Sequence, residues 1–206
     1  MTRISTFAIL AIAASAVALA ACSPRDAPVD NAAVANDVAV DNAAAGNSAD
    51  GSAMAGVPQS FNFIGGDGAL LGTVTVSEDP AGLVMNVNGV AMPAGVHGIH
   101  LHEKGLCDGP SFESAGGHWN PGAKQHGRDN PAGAHAGDLA NLTVAANGSA
   151  IVSIPIAGAM LASGPIVLAD ADGTALVVHA KPDDYKTDPS GNSGDRIACA
   201  VIAPPK

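Results

Sequence analysis

The fold class of this chain is decided by the stretch Leu71-Gly72-Thr73-Val74-Thr75-Val76. Apolar and polar side chains alternate along it, so its valines share one side while its threonines share the other. A period of two residues is typical of a β-strand with one buried face. The stretch therefore predicts a half-buried strand.

Similar short apolar runs follow along the chain, with turn residues between them. Asn147-Gly148 comes after the run 142–144, and Asp172-Gly173 separates the run 166–168 from the run 175–178. Both dipeptides are typical of tight hairpin turns. The sequence shows no long helical periodicity, so these runs predict an all-β sandwich or barrel.

Two segments between the predicted strands are too long to be tight turns. They span residues 103–137 and 181–195. Long irregular loops on a β scaffold usually carry functional residues, so we expect the chemistry of this protein to lie there.

The first 21 residues have the outline of an export signal. Arg3 supplies a positive start, and residues 7–20 form an apolar run that is short for a membrane span. The sequence Leu19-Ala20-Ala21-Cys22 is similar to a bacterial lipobox, which predicts cleavage before Cys22 and a lipid on its thiol. Ordinary cleavage near Ala20 or Ala21 would leave that thiol free. The chain has three cysteines, and the odd number favours lipidation in an exported protein.

Residues 23–58 are rich in Ala, Asn, Asp, Gly and Ser, and they repeat Val-Asp-Asn-Ala-Ala at 29–33 and 40–44. This composition has too few large apolar side chains to form a core and predicts a disordered tether. A helical stalk is the alternative, because alanine favours helix. The expected organisation is a lipoprotein signal peptide at 1–21, the lipidated cysteine and tether at 22–58, and a globular domain at 59–206.

The charge of the chain argues against nucleic-acid binding. The formal net charge is -10, from 9 basic and 19 acidic residues. A nucleic-acid footprint would be basic, so we expect no nucleic-acid partner.

Histidines provide the strongest chemical signal. All seven lie in the predicted domain, and six of them fall between positions 97 and 135: His97, His100, His102, His118, His126, His135 and His179. A strand points residues i and i+2 to one side, so His100 and His102 should face the same way. A single pair of this kind also occurs among structural histidines, but the other rings strengthen the prediction of a metal centre.

The pattern contains enough donors for two metal ions. Three imidazoles and one carboxylate, from His118, His126, His135 and Asp138, are a donor set suited to a structural zinc ion. His179 follows a predicted strand and could join His100 and His102 in an imidazole site that suits copper.

Five separated stretches resemble the Cu/Zn superoxide dismutase family. They occur in the family's order and span nearly all of 59–206: Gly98-Ile99-His100-Leu101-His102-Glu103, Ser114-Ala115-Gly116-Gly117-His118-Trp119-Asn120-Pro121, His135-Ala136-Gly137-Asp138-Leu139, Val177-Val178-His179 and Gly194-Asp195-Arg196-Ile197-Ala198-Cys199. The resemblance implies an all-β Greek-key β-sandwich or flattened barrel of about eight antiparallel strands with two long functional loops.

The resemblance also implies roles for individual residues. The copper ligands would be His100, His102, His118 and His179, and the zinc ligands would be His118, His126, His135 and Asp138. His118 would thus bridge the two metals as an imidazolate. Arg196 would lie beside the copper, and Asp183 would link His100 with His126. Cys107 and Cys199 would form the family's intrachain disulfide, and His97 would be structural.

The expected activity is dismutation of superoxide to oxygen and hydrogen peroxide, which would protect the cell envelope. We expect a monomer or homodimer on the periplasmic side of a bacterial envelope, anchored to a membrane through Cys22. The rival hypothesis is a binding module that stores or transfers copper or zinc without turnover.

Overall fold

Nine short strands make up the regular structure of residues 57–206, the part of the chain that the computed structural model describes. They are β1 (Gln59–Gly65), β2 (Leu70–Asp79), β3 (Gly82–Gly89), β4 (Gly95–His97), β5 (Ile99–His102), β6 (Leu142–Val144), β7 (Ala150–Ala157), β8 (Thr174–His179) and β9 (Arg196–Ala203). The one helical element within 57–206 is a 3-10 turn at Glu113–Ala115. No helix within this part of the chain has the length and apolar character needed to span a membrane.

The strands form two antiparallel sheets that are connected along the chain. The larger sheet has the order β5-β8-β9-β1-β2-β3-β7, and the smaller one pairs β4 with β6. Only Gly98 separates β4 from β5, and the turn at Asn147 and Gly148 leads from β6 to β7. The small sheet therefore links the two ends of the large one, as expected for a flattened barrel.

The predicted all-β class is confirmed, and so is the approximate strand number. When β4 and β5 are counted as one strand interrupted at Gly98, the barrel has eight. Both predicted loops are present, because residues 103–141 connect β5 to β6 and residues 180–195 connect β8 to β9. The predicted signal peptide 1–21, Cys22 and almost all of the tether lie outside the described residues.

The prediction of a strand at 166–168 is wrong. Val167 forms only an isolated bridge with Met160, within an irregular connection between β7 and β8. The reason lies in the sheet topology, since β5 and β9 occupy both edges of β8 and leave no edge for a hairpin partner. The hairpin turn predicted at Asp172-Gly173 is therefore also absent. The chain only bends at 171–172, where the Asp170 carboxylate accepts a hydrogen bond of 2.9 Å from the Gly173 amide.

The main apolar core lies on one face of the large sheet, and a smaller cluster lies on the other face. Every residue of β8 is buried because the strand contacts both. Leu176 and Val178 pack into the main core, whereas Ala175 and Val177 pack against Phe112 of the long loop. The loop that follows β5 is thus held to the barrel by its own apolar contacts.

A disulfide fastens the same loop to β9. It joins Cys107 to Cys199, 92 positions apart, as the resemblance implies. By loop-closure entropy, a cross-link over this distance stabilises a fold by roughly 4–5 kcal/mol at most. Cys199 lies three positions after Arg196 along β9, so the disulfide holds the loop close to the main chain of Arg196.

Candidate metal centre

Strand β5 places His100 and His102 on one face, as the alternation of its side chains predicts. Ile99 and Leu101 enter the main core, while His100 and His102 lie on the opposite face, and all four side chains are fully buried. Because β8 pairs with only one edge of β5, the other edge remains available to the long loop.

The long loop occupies that free edge and brings its own ligands with it. The Trp119 amide donates to the Leu101 carbonyl at 2.8 Å, and the Leu101 amide donates to the Gly137 carbonyl at 2.9 Å. These bonds set His118 beside His102 and Asp138 beside His100 as isolated bridges. Residues far apart in sequence are therefore aligned by main-chain hydrogen bonds.

A bulge at the end of β8 supplies the last member of the first group. The pairing register shifts between Val178 and His179, so that His179 lies opposite Arg196 on β9. Bulges of this kind redirect a side chain at the edge of a sheet. Here the bulge sets a histidine and an arginine side by side.

The first group is formed by four buried histidines. Each ring offers one nitrogen, and these four nitrogens all lie within 4.8 Å of one another. The members of this four-histidine group are His100, His102, His118 and His179. Nε2 of His102 and Nε2 of His179 are 3.4 Å apart.

The opposite nitrogen of three of these rings is held by an oxygen acceptor. His100 Nε2 donates to Asp183 Oδ2 at 2.9 Å. His102 Nδ1 donates to the Gly116 carbonyl at 3.0 Å, and His179 Nδ1 donates to the Gly194 carbonyl at 3.2 Å. A neutral imidazole has one N–H, so these bonds leave a lone pair on each nitrogen that faces the group.

Unpartnered nitrogens show that this group fits a metal ion. His100 Nδ1 and His118 Nε2 are buried and have no hydrogen-bond partner among residues 57–206. A buried polar atom without a partner is costly, whereas a cation shared by several lone pairs would satisfy all of them. An all-nitrogen set of this kind suits copper.

The second group surrounds a single carboxylate oxygen. Asp138 Oδ1 lies 2.9 Å from His118 Nδ1, 3.0 Å from His126 Nδ1 and 3.1 Å from His135 Nδ1. The other oxygen, Oδ2, accepts hydrogen bonds from the amides of Gly127 and His135. Three nitrogens and one oxygen facing one another are the donor set of a closed tetrahedral zinc site.

His118 belongs to both groups. Its Nδ1 faces Asp138 in the second group, while its buried Nε2 faces the four-histidine group. One ring thus presents a nitrogen to each of two adjacent sites.

The Asp183 carboxylate links the two groups on their outer side. Oδ2 accepts from His100 Nε2, and Oδ1 accepts from His126 Nε2, both at 2.9 Å. Its side chain is fully buried. A carboxylate in this position fixes the tautomer and orientation of both rings.

Burial favours the neutral form of three of the rings, and hydrogen bonds from histidines keep both carboxylates charged. Burial lowers the pKa of His118 to about 4 and that of His179 to about 3, and burial also lowers the pKa of His102. Although burial alone raises a carboxyl pKa, hydrogen bonds from the histidines hold the pKa of Asp138 and of Asp183 well below the usual range. Neutral imidazoles and ionised carboxylates are the forms that bind metals.

His126 differs from the other rings because it lies between the two carboxylates. Burial lowers its pKa, but Asp138 and Asp183 outweigh that effect and raise the pKa to about 9. A cation in the second group would replace the proton that this ring otherwise holds between the two carboxylates.

Arg196 is half-buried and held by main-chain carbonyls of the long loop. Nη1 donates to the Phe112 carbonyl at 2.7 Å, and Nη2 donates to the Gly116 carbonyl at 2.6 Å. The same Gly116 carbonyl accepts from His102. The positive charge of Arg196 also contributes to lowering the pKa of His102 and of His179, so the guanidinium acts electrostatically on the four-histidine group.

Comparisons with known proteins agree with this geometry. The family model described as copper/zinc superoxide dismutase matches residues 70–202. The chain belongs to this family. A Cu-Zn superoxide dismutase of Caulobacter vibrioides is 45% identical over 140 residues, which cover 66% of this chain and 80% of that protein. A superoxide dismutase-like protein of Bacillus subtilis is 42% identical and covers 66% of this chain and 71% of its own length.

Solved structures of the family have the same fold. The crystal structure of a SOD-like protein from Bacillus subtilis has a TM-score of 0.68 at 39% identity, covering 71% of this chain and 99% of that chain. The Cu/Zn superoxide dismutase from Brucella abortus has a TM-score of 0.55 at 32% identity, again covering 71% and 99%.

The structure brings every sequence-predicted ligand into one of the two groups, and it leaves His97 outside both. His97 is buried with Nδ1 2.8 Å from the His179 carbonyl and Nε2 2.9 Å from the Pro93 carbonyl. Sequence patterns missed Asn141 and Tyr185, whose contacts with Asp183 depend on loop geometry that no short motif encodes.

Replacing Asp183 tests the link between the groups. In Asp183→Asn, one of the two carboxylate oxygens is replaced by an NH2 group, which cannot accept a hydrogen bond. Either His100 or His126 therefore loses the acceptor of its Nε2 hydrogen bond. We expect the affinity for zinc to fall about 10–100-fold, measured by competition with a chelator. The matched control is Asp184→Asn, because the hydrogen bonds to this exposed carboxylate from the described residues all lie within the loop 180–195, including those from Thr187 and Asn192. Equal zinc affinity in both variants would contradict the linking role.

Proposed function

We propose that this chain is a superoxide dismutase that converts two superoxide anions and two protons into oxygen and hydrogen peroxide. Copper would be held by His100, His102, His118 and His179, and zinc by His118, His126, His135 and Asp138. The observation that carries the proposal is the position of His118, whose two ring nitrogens face the two donor groups.

The chemistry divides between the metals and the residues that hold them. When bound, copper supplies a one-electron redox couple at the four-histidine group, and zinc supplies a fixed positive charge at the other. The outward hydrogen bonds of His100, His102 and His179 hold the donor nitrogens in place, so little reorganisation is needed during turnover.

His118 is suited to move a proton as well as to bind. Its Nδ1 is held beside Asp138, while its Nε2 has no other partner among the described residues. Nε2 can therefore take up a proton in one half of the reaction and deliver it to the reduced oxygen species in the other. A ring fixed at one nitrogen keeps the other within reach of the substrate.

Arg196 would attract and orient the substrate anion. It lines a cleft of about 490 Å³ together with Pro110, Ser111, Glu113, Gly194 and Asp195. Two of its nitrogens are already bound to loop carbonyls, so the guanidinium is held in a fixed position. A fixed guanidinium in a cleft of an acidic domain raises the local concentration of a small anion.

The central experiment is His118→Ala. We expect the folded variant to lose nearly all dismutation, because among residues 57–206 no other side chain belongs to both groups. Activity is measured after reconstitution with copper and zinc, and metal content is measured on the same samples. Full copper loading with most of the activity retained would rule out the bridging role.

A second experiment addresses Arg196. In Arg196→Ala we expect kcat/KM for superoxide to fall about tenfold or more with unchanged metal content, because the local attraction of the anion is lost. Added salt should slow the wild type more than the variant, since salt screens the same charge. If both enzymes respond identically to ionic strength, Arg196 has no steering role.

The rival function is metal binding without turnover. The observation in its favour is the similarity to a Bacillus subtilis protein whose name is superoxide dismutase-like protein. The presence of all seven predicted ligand residues and of Arg196 favours the enzyme. A dismutase assay on the fully metallated wild type separates the two, because a binding module would hold both metals and remain inactive.

We also propose that the protein is exported and anchored through Cys22 on the periplasmic side of a bacterial envelope. The support comes from Arg3, the apolar run 7–20 and the sequence Leu19-Ala20-Ala21-Cys22. A disulfide in the folded domain is consistent with an oxidising compartment.

The anchor is tested by Cys22→Ser. We expect the wild type to partition into the membrane fraction and to carry a lipid on the mature N-terminus, detected by mass spectrometry. The variant should lose the lipid and be found in the soluble fraction, whereas the control Ser23→Ala should remain anchored. A soluble wild type with a free Cys22 thiol would support ordinary cleavage instead.

A further inference from the structure

Asp183 is itself held by two residues, Asn141 and Tyr185, that are members of neither donor group. The side-chain amide of Asn141 pairs with the main chain of Asp183: Oδ1 accepts from the Asp183 amide at 2.8 Å, and Nδ2 donates to the Asp183 carbonyl at 3.0 Å. Two such bonds fix both the position and the direction of the main chain at Asp183.

Tyr185 completes a closed set of hydrogen bonds. Its hydroxyl accepts from the Asn141 amide at 2.8 Å, and its own amide donates to Asp183 Oδ1 at 2.7 Å. The main chain of Asp183 therefore bonds the side chain of Asn141, and the main chain of Asn141 bonds the side chain of Tyr185. The main chain of Tyr185 in turn bonds the side chain of Asp183. We call these three residues the clamp.

The clamp connects the two functional loops. Asn141 lies three positions after Asp138 at the end of the loop 103–141, whereas Tyr185 lies in the loop 180–195. Tyr185 is anchored independently, because its carbonyl accepts from the Asp129 amide at 2.9 Å and the Arg128 guanidinium lies 3.7 Å from its ring centroid. The clamp thus joins the loop of the second donor group to the loop of the linking carboxylate.

We infer that Asn141 and Tyr185 are positioning residues that hold the Asp183 carboxylate against His100 and His126. The inference deepens the proposed function and rests on it, since the position of Asp183 matters to catalysis only if both donor groups bind metals. Asp183 Oδ1 accepts from both His126 and Tyr185, so a shift of Tyr185 acts directly on the oxygen that orients His126.

Two variants separate the parts of the clamp. Tyr185→Phe removes one hydroxyl and leaves the ring under Arg128, so the loop keeps its cation–π contact. Asn141→Ala removes both bonds to the Asp183 main chain. The control is Thr174→Val, which breaks a buried hydrogen bond of 2.7 Å to the Leu168 carbonyl and touches no member of the clamp.

The measurement is metal binding by the full chain after both metals have been removed. Zinc affinity is determined by competition with a chelator, and the visible spectrum of Co²⁺ bound in place of zinc reports the geometry of the second group. We expect zinc affinity to fall about three- to tenfold in Tyr185→Phe and about tenfold or more in Asn141→Ala, each with a changed Co²⁺ spectrum. The Thr174→Val control should match the wild type in both.

The inference is overturned if both clamp variants keep wild-type zinc affinity and the wild-type Co²⁺ spectrum. It is also overturned if Thr174→Val weakens zinc binding as much as they do, because general destabilisation would then explain the effect. A dismutase assay on the metallated wild type is run in parallel. An inactive wild type with weakened zinc binding in the clamp variants would refute the proposed function and leave the positioning role intact.

Discussion

The centre depends on one constraint, which is that every nitrogen of a buried imidazole needs a partner. A neutral ring offers one donor and one acceptor, and three rings of the four-histidine group use the donor for an oxygen outside that group. The acceptors are Asp183 and the carbonyls of Gly116 and Gly194. The remaining lone pairs face inward, where only a cation or a proton can satisfy them.

That constraint explains why the loops are tied so firmly to the barrel. The Gly116 carbonyl accepts from both His102 and Arg196, so a movement of the long loop would disturb the His102 ring and the Arg196 guanidinium together. The Cys107–Cys199 disulfide and the burial of Phe112 against β8 restrain the same loop. Packing of the loop therefore sets the tautomer of a ring and the position of a charge.

The sequence predicted most of the fold and the two groups of side chains that the structure brings together, because both depend on residue type and short spacing. Alternation in β5 was enough to place His100 and His102 on one face. The strand proposed at 166–168 failed because its pairing depends on which strands border β8, and local sequence does not encode that order. Likewise, which nitrogen of His179 faces inward depends on the Gly194 carbonyl, 15 positions away.

The division between core and loops also indicates what the metals contribute to stability. The main core is made of apolar side chains and lies on the face of β5 opposite His100 and His102. The unpartnered nitrogens lie on β5 and on the loop 103–141, where burial without a partner raises the free energy of the metal-free state. Metal binding removes that cost at the place where the loops meet β5, so metal affinity is coupled to the order of those loops.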